Sequence, residues 1–512
     1  MTNHSRVIAK NAAVVAGATL ASRILGFVRD LVTAFALGAG PLADAFFVAF
    51  RLPNMLRRLF GEGSLTMAFV PIFTRTCEES GEAEAHAMAR SLMIWLLLIL
   101  GVVTALAMFG ARWLVLLIAP GFADNPEVLA VTTDLTRICF PYILFISGVA
   151  LCMGILNSTG RFLAPALAPC ALNVVLITFA LVGVYWGLSV PYCLAFGVLV
   201  AGAVQLALQQ PSLAGAGFSW RGPWSMNHPG VRRTGLLMLP TVFGAAVYQI
   251  NIVIGTMLAS FLAAGSISFL YYADRLVQFP LGVFGVAVST AALPSLSALA
   301  ARGSMDEFKS TLNASLRLTL FICLPAAAGL IALAEPVVGL LFHRGAFGPE
   351  AVSATAWALV AYGAGLPAFA MVRPLVSAYY AVQDTRGPVR IGVVSLVVYV
   401  VVGVSLMGPL GHVGLALATT VSSWVNAGLL LLGLRTKFGP WATFGRPCGM
   451  YALQSVAIAV GAGATVGFGK WAVAMIPLWA VAYAGVAFAT GVPEAKLVAD
   501  ALRRRYGRKQ GR

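Results

Sequence analysis

Long runs of apolar residues constrain the fold of this chain more than any other feature of its sequence. Residues 94–109 and 393–404 contain almost no polar side chain. A transmembrane helix needs about 20 predominantly apolar residues, whereas a membrane β-strand alternates apolar and polar residues over about ten. The runs therefore favour helices over a β-barrel. Because 60% of the 512 residues are hydrophobic and only 10% are charged, a soluble domain is excluded.

Hydropathy and loop signals predict an all-α polytopic membrane protein with fourteen transmembrane helices. Loops and adjoining span ends on the side of the N-terminus, together with the C-terminal tail, hold 23 of the 34 lysines and arginines. Because basic loops stay in the cytoplasm, we expect a multi-pass membrane protein with both termini cytoplasmic. The predicted spans, numbered 1 to 14, are 11–37, 42–73, 89–110, 129–157, 163–186, 190–209, 234–262, 267–297, 312–334, 352–381, 389–407, 411–434, 447–467 and 471–491.

An internal repeat relates the two halves of the chain. A shift of about 224 residues places Arg51 on Arg275, and a shift of 226 places Pro141 on Pro367. An offset of six spans makes the halves parallel repeats about an axis normal to the membrane. The predicted organisation is an N-lobe of six helices (1–210), a cytoplasmic loop (211–233), a C-lobe of six helices (234–436), two further helices (437–491) and a basic cytoplasmic tail (492–512).

Charged residues are concentrated in spans 1 and 2, where each costs about 2.5–3.5 kcal/mol on insertion scales. One interpretation is a hydrated basic cavity, since guanidinium groups bind phosphate oxygens in pairs and suit a diphosphate. The other is that arginines pair with acids or extend to the headgroups, which stays open above all for Arg51 and Arg58. The charged residues are Arg23, Arg29, Asp30, Asp44, Arg51, Arg57, Arg58 and Glu62.

Span 8 contains a second charged group, in the sequence YYADRLVQFP at 271–280. Helical spacing puts Asp274 and Gln278 on one face and brings Arg275 next to Tyr271. Because span 8 is the repeat partner of span 2, we expect Arg275 to project toward the same cavity from the other lobe.

Several classes of function are disfavoured because the sequence lacks their motifs. The seven cysteines are scattered without a CxxC motif, and no P-loop, GxSxG or HExxH motif occurs. The basic residues also lack the aromatic interleaving of nucleic-acid platforms. We therefore expect no enzyme, no metal site and no nucleic-acid partner. Isolated polar residues could bind a cation or bridge helices, namely Asn157, Asn173, Gln249, Asn251 and Asp384.

Six motifs together resemble the MurJ (MviN) lipid II flippases of the multidrug/oligosaccharidyl-lipid/polysaccharide exporter superfamily. The resemblance extends over essentially the whole chain. The motifs are SRILGFVRD at 22–30, DAFFVAFRLPNMLRRLFGEG at 44–63, AFVPI at 68–72, APGFAD at 119–124, FPYILFIS at 140–147 and YYADRL at 271–276.

The resemblance implies two lobes around a central cavity, with spans 13 and 14 forming a groove for a polyprenyl tail. It implies that Arg23, Arg29, Arg57 and Arg275 bind the substrate lipid II, an undecaprenyl-diphosphate-linked disaccharide-pentapeptide. The supporting cavity residues are Asp30, Asp44, Asn54, Arg58, Glu62 and Asp274. Some family members hold sodium with acids and asparagine in spans 7 and 11; here span 7 lacks an acid, and Asp384 follows Tyr380 by four residues.

Alternating access is the expected mechanism, with no cofactor and with coupling to membrane potential or a monovalent cation left open. Cell-wall synthases are further expected partners. The alternatives are an exporter of another polyprenyl-linked glycan, a drug/cation antiporter, or a non-transporting scaffold for cell-wall synthesis. An antiporter for cationic drugs should present acids rather than arginines.

Overall fold

The computed structural model describes residues 3–59, 65–282, 286–439 and 445–495, and every regular element in these ranges is helical. The predicted all-α fold is therefore confirmed for the described chain. The first ten helices are α1 (Asn3–Leu37), α2 (Pro41–Leu59), α3 (Leu65–Ser80), α4 (Glu82–Phe109), α5 (Ala111–Ile118), α6 (Pro126–Cys139), α7 (Tyr142–Ser158), α8 (Leu163–Tyr185), α9 (Val190–Gly215) and α10 (Pro229–Ser260). The next ten are α11 (Ser266–Pro280), α12 (Val286–Ala301), α13 (Met305–Ala332), α14 (Ala334–Phe342), α15 (Pro349–Gly363), α16 (Leu366–Ala381), α17 (Arg386–Phe438), α18 (Gly445–Ala464), α19 (Lys470–Ala474) and α20 (Ile476–Ala489).

The chain is a multi-pass membrane protein. Within the described ranges, seven helical segments are long and apolar enough to cross a bilayer, and α15 with α16 adds an eighth if this pair, bent by 43°, is one broken span. In the described residues, each of the fourteen predicted spans overlaps one helix or a series of consecutive shorter helices, and spans 11 and 12 share α17. The seven segments are α4, α6 with α7, α8, α9, α13, α17 and α18.

Several spans are interrupted where proline or glycine stands in an apolar sequence. Span 4 divides at Pro141, between α6 and α7, and span 10 divides just before Pro367, between α15 and α16. Proline lacks the N–H that the helix ladder needs, so the helix breaks or bends at these positions. Pro53 behaves differently, because it lies inside α2 and the helix continues to Leu59.

Helix α17 contains predicted spans 11 and 12. Its 53 residues would extend about 80 Å at 1.5 Å per residue, more than twice the hydrocarbon thickness of a bilayer. The interruption is at Gly411, with φ 56° and ψ −135°. Only glycine adopts this backbone conformation without strain, so Gly411 allows the two spans to meet where the sequence predicts a junction.

The chain divides into two compact units. The first comprises Met1–Ser268 and Arg344–Phe347, and the second comprises Phe269–His343 and Gly348–Arg512. The first unit extends beyond the predicted inter-lobe loop and includes α10, because α10 packs against α3 and α2. The sequence repeat marks where a pattern restarts, whereas the units reflect packing, so the two boundaries differ.

Two glycines allow the short segment Arg344–Phe347 to pack in the first unit. The Ala346 N–H donates to the Phe35 carbonyl at the end of α1, at 2.9 Å. Gly38 (φ 68°) and Gly345 (φ 58°) lie on the two sides of this contact, and a Cβ on either would come within 2.4 Å of a backbone oxygen. Both positions therefore require glycine for space and for conformation.

The order of helices in the first unit recurs in the second. A long helix, a short helix and a broken pair follow one another as α4, α5 and α6–α7, and again as α13, α14 and α15–α16. Corresponding helices begin at almost the same sequence offset, for example at Glu82 and Met305 or at Ala111 and Ala334. The elements therefore follow the repeat read from the sequence.

The end of the second unit is anchored by a buried carboxylate. Glu494 is 1% exposed and accepts a hydrogen bond from the Tyr451 hydroxyl of α18. The Arg317 Nε of α13 lies 2.9 Å from the Glu494 Oε1. A buried carboxylate needs such partners, so this group stabilises the packing of predicted span 13 on α13.

Candidate substrate site

Arg29, one of the four arginines predicted to bind substrate, is held by an acid and an amide. Its Nε and Nη2 donate to the Asp30 Oδ1 at 3.1 and 2.7 Å, and its Nη1 donates to the Asn173 Oδ1 at 3.1 Å. The Arg29 side chain is 14% exposed and the Asp30 side chain 5%. An acid and an amide therefore fix the orientation of the Arg29 guanidinium. The acid also compensates most of its charge.

Asn173 connects α1 to α8. Besides accepting from Arg29, its Nδ2 donates to the Ser22 carbonyl at 3.2 Å, and the residue is 5% exposed. A polar side chain in an apolar span is stabilised by bonds to a neighbouring helix. Among the two interpretations considered for this residue, helix bridging is therefore the one observed.

Arg23 lies on the same helix as Arg29 and Asp30, but its side chain is exposed. Arg23 and Asp30 are seven residues apart, so they share a face of α1 at about 10 Å along the axis. The helix that carries them packs chiefly against α8. Arg23 is therefore exposed on the part of α1 that also carries Arg29 and Asp30.

Arg57 is oriented within α2. Its Nε donates to the Asn54 Oδ1 at 3.1 Å, and both side chains are half-buried.

Three other charged residues were predicted in this stretch. Arg58 belongs to α2, but its side chain is not among those that the structure describes, and Glu62 lies outside the described residues. Arg51 donates to the Thr256 hydroxyl and to the Ile252 carbonyl at 3.4 Å, so it holds α2 to α10.

Asp44 caps the start of the segment that becomes α11. Its carboxylate accepts from the Gly265 N–H at 2.6 Å, from the Ser268 N–H at 2.8 Å and from the Ser268 hydroxyl. Asp44 is 3% exposed. Helix N-termini present unpaired N–H groups and a partial positive charge, which explains how a carboxylate can be buried at this position.

Arg275 and Asp274 belong to the second unit, and their local contacts confirm the spacing argument. The Arg275 Nη2 donates to the Tyr271 hydroxyl at 3.0 Å, and its guanidinium carbon lies 4.9 Å from the centre of the Tyr271 ring. The Gln278 amide donates to Asp274. Stacking on a tyrosine therefore orients the Arg275 guanidinium.

The structure thus places the predicted residues in local groups. Arg29, Asp30 and Asn173 form one group, and Arg57 with Asn54 forms another. The meeting of Arg275 with the arginines of the first unit stays a prediction. Sequence reasoning did not identify Asn173 as a partner of Arg29, although an asparagine in an apolar span is the signal that could have indicated it.

Asp384, considered as a cation ligand, is paired with a lysine. Lys437 donates to the Asp384 carboxylate, which also accepts from the Gly387 N–H at 2.8 Å. The hydrogen bond from the Lys437 ammonium, together with the one from Gly387, holds the pKa of Asp384 below its usual range. An ammonium group thus occupies the side of the carboxylate that a small cation would need.

Comparison with known proteins decides the family. The family model described as lipid II flippase MurJ matches residues 33–481. The chain belongs to the MurJ lipid II flippase family. The resemblance carried by the six motifs is therefore confirmed, as is the expectation of a transporter family rather than an enzyme. Arg57 and Arg275 lie within the matched residues, whereas Arg23 and Arg29 precede them.

Curated relatives agree along most of the chain. A probable lipid II flippase MurJ of Vibrio cholerae is 40% identical over 447 residues, which cover 85% of this chain and 84% of the relative. A lipid II flippase MurJ of Burkholderia cenocepacia is 37% identical over 428 residues, which cover 83% of each. The family assignment therefore rests on most of the chain and not on one motif.

Solved structures agree with the fold. A lipid II flippase MurJ in an inward closed conformation is similar at a TM-score of 0.78 with 28% identity, over 92% of this chain and 97% of that one. A multidrug resistance MATE family transporter of the MOP superfamily, in an inward-facing conformation, has a TM-score of 0.67 at 14% identity, over 83% of this chain and 98% of that one. At such low identity the second likeness shows a shared fold alone.

Proposed function

We propose that the chain flips lipid II from the cytoplasmic to the periplasmic leaflet of the bacterial inner membrane. The observation that carries this proposal is the match of residues 33–481 to a family described by that activity. Placing both termini in the cytoplasm follows from the basic loops, since 23 of the 34 lysines and arginines would then lie on the cytoplasmic side.

The arginines are proposed to bind the diphosphate. Arg23, Arg29, Arg57 and Arg275 would face a hydrated cavity, with Asp30, Asp44, Asn54, Arg58, Glu62 and Asp274 as supports. What supports this role for Arg29 and Arg275 is that each guanidinium is already oriented, by Asp30 and Asn173 in one case and by Tyr271 in the other. An oriented guanidinium loses less entropy when it binds phosphate.

Alternating access is the mechanism that fits such a site. Four arginines in a dry cavity would cost on the order of 10 kcal/mol at the lower insertion figure. Water, the acids and the arriving diphosphate must offset that cost, so anion binding favours closure of the site around the headgroup. The polyprenyl tail would stay in lipid, along a groove formed by predicted spans 13 and 14.

Membrane potential is our proposed means of resetting the empty site, since moving one charge through 100 mV releases about 2.3 kcal/mol. The pairing of Asp384 with Lys437 and the absence of an acid in span 7 disfavour a sodium site at these positions. Cell-wall synthases are proposed as partners that consume the flipped substrate.

Depleting the protein from its cells and assaying lipid II in each leaflet tests the function. We expect lipid II to accumulate in the cytoplasmic leaflet, and re-expression of the wild-type chain to restore its transfer. If lipid II reaches the periplasmic leaflet unchanged while susceptibility to cationic drugs rises, the chain is an antiporter and the proposal is wrong.

A further inference from the structure

The connection between α9 and α10 is folded tightly onto α4. Arg90 of α4 is 7% exposed; its Nε donates to the Pro223 carbonyl at 2.8 Å and its Nη1 to the Ser219 carbonyl at 2.9 Å. A Cβ at Gly222 would lie 2.9 Å from the guanidinium carbon, so the backbone passes directly over this arginine. The buried charge is thus compensated by carbonyl groups of the connection.

Two further side chains of α4 hold the same connection. The Ser91 hydroxyl accepts from the Ser225 N–H at 2.9 Å, and the Trp95 Nε1 donates to the Met226 carbonyl, also at 2.9 Å. Together with Arg90, they bond four backbone groups between positions 219 and 226. Because these backbone groups are fixed, the side chains that point away from α4 also lie at defined positions.

Both ends of the connection are also fixed. At the start, Arg161 donates to the last carbonyls of α9, at Ser212 and Gly215. At the end, the His228 Nδ1 accepts from the Gly230 N–H at 3.0 Å, and its Nε2 lies 3.1 Å from a carboxylate oxygen of Glu84. The first turn of α10 is therefore capped by a residue that also contacts α4.

The outward side of this segment is basic and aromatic. We call residues 219–233 the α9–α10 platform. Trp220, Trp224 and Met226 are exposed, and so are Arg221, Arg232 and Arg233. The platform contains three arginines and no acidic residue. This composition is complementary to an anionic surface that also has an apolar side.

Two helices place the platform at the edge of the apolar band. Trp95, which bonds Met226, stands two residues before the exposed residues Leu97, Leu98 and Ile99 of α4. On α10, Arg233 stands three residues before the exposed Leu236 and Leu237. At 1.5 Å per residue, both separations are about 3–5 Å along a helix axis. The platform is therefore attached to both helices just before their exposed apolar residues begin, and tryptophans are enriched at such boundaries with the lipid headgroups.

We propose that the α9–α10 platform is a binding surface for anionic phospholipid headgroups. Arg221, Arg232 and Arg233 would bind headgroup phosphates, and Trp224 would insert its ring at the polar–apolar boundary. An acidic protein would not require a surface so close to the lipid-facing leucines, which is why lipid is the favoured occupant. In the orientation proposed above this is the cytoplasmic leaflet, but the binding itself does not depend on lipid II transport.

Hydrogen exchange of the intact protein in lipid nanodiscs tests the proposal. Discs of phosphatidylcholine are compared with discs that also contain phosphatidylglycerol. We expect amides of residues 219–233 to exchange several-fold more slowly when phosphatidylglycerol is present. The variant Arg221→Gln/Arg232→Gln/Arg233→Gln should lose this lipid dependence, with an apparent affinity for the anionic lipid lower by on the order of fivefold per arginine.

A matched variant controls for the loss of charge. Arg302→Gln/Arg386→Gln/Arg390→Gln removes three exposed arginines of the second unit and should keep the lipid dependence at the platform. Trp224→Ala, which leaves every backbone bond to α4 in place, should reduce the lipid dependence of hydrogen exchange at the platform. Equal exchange in both lipids would overturn the proposal, and so would slowing that appears only when an acidic protein is added.

Discussion

Arg29 illustrates how a charged residue is tolerated within an apolar span. Asp30 neutralises its charge from the next position, and Asn173 holds its far edge from another helix. The pairing of Arg29 with Asp30 does not follow from helical spacing, because adjacent residues of a helix do not share a face. The pairing with Asn173 could not be predicted either, because its distance of 144 residues along the chain is closed only by the packing of α1 on α8.

Replacing Asn173 with alanine should weaken lipid II binding by about tenfold, with Arg29 still present. A hydrogen bond to a charged group contributes about 1.5–3 kcal/mol, and its loss allows the guanidinium to turn away from the orientation that binds phosphate. Equilibrium binding of lipid II to the purified protein measures the effect. Thr178→Ala, on an exposed face of α8, is the control. Wild-type affinity in Asn173→Ala would show that Asn173 only packs the helices.

Asp44→Ala should lower the free energy of unfolding by about 3 kcal/mol, because it leaves buried N–H groups at Gly265 and Ser268 without their acceptor. Thermal unfolding in detergent checks this. Asp134→Ala, which removes a half-exposed pair with Arg137, should change stability by less than about 1 kcal/mol. Equal effects of the two substitutions would contradict the role given to Asp44.

At the scale of the elements, the sequence predicts helices better than their interruptions. Each predicted span corresponds to helix, because a continuous apolar run has few other solutions in a bilayer. Span 4 is interrupted at Pro141 and span 10 just before Pro367, whereas Pro53 lies inside a continuing helix. Whether a proline breaks a helix or only bends it depends on how neighbouring helices pack around it. The local sequence does not show this packing.

Gly411→Ala should destabilise the protein by about 1–3 kcal/mol, since alanine is strained at φ 56° and ψ −135°. Gly408→Ala is the matched control in the same helix, because an added Cβ there meets no atom within 4 Å. Chemical or thermal unfolding compares the two variants. A Gly411 variant as stable as the Gly408 variant would mean that the junction between spans 11 and 12 has another conformation.

Lys437→Gln should reduce stability by roughly 0.5 kcal/mol at neutral pH, a small effect because the lysine is half-exposed. The folded pKa of Asp384 is lowered, so the stabilisation is present above its ordinary pKa and is lost as pH falls through the folded value. Unfolding temperatures measured against pH should therefore converge in acid. Lys309→Gln, which disturbs a weak 3.7 Å pair, is the control. A difference that persists in acid would contradict the pairing.

At the scale of the whole molecule, the sequence repeat is visible in the order of helices, yet the packing units divide elsewhere. Helix α10 begins the second repeat but packs against α2 and α3 of the first unit. The repeat could be found because aligned residues recur at nearly the same offset. The packing of α10 could not be predicted in this way. An apolar helix face can pack against several other helices of a membrane protein, and the sequence pattern does not indicate which one.

The central claim is that Arg23, Arg29, Arg57 and Arg275 bind the diphosphate of lipid II. Equilibrium binding of lipid II to the purified wild-type protein and to Arg23→Ala, Arg29→Ala, Arg57→Ala and Arg275→Ala tests it most directly, with Arg112→Ala as the control outside the site. Loss of one charge-assisted pair, worth about 1.5–3 kcal/mol, should lower affinity roughly tenfold or more for each site variant. If Arg23→Ala, Arg29→Ala and Arg275→Ala bind lipid II as tightly as the wild type, the arginines do not hold the headgroup.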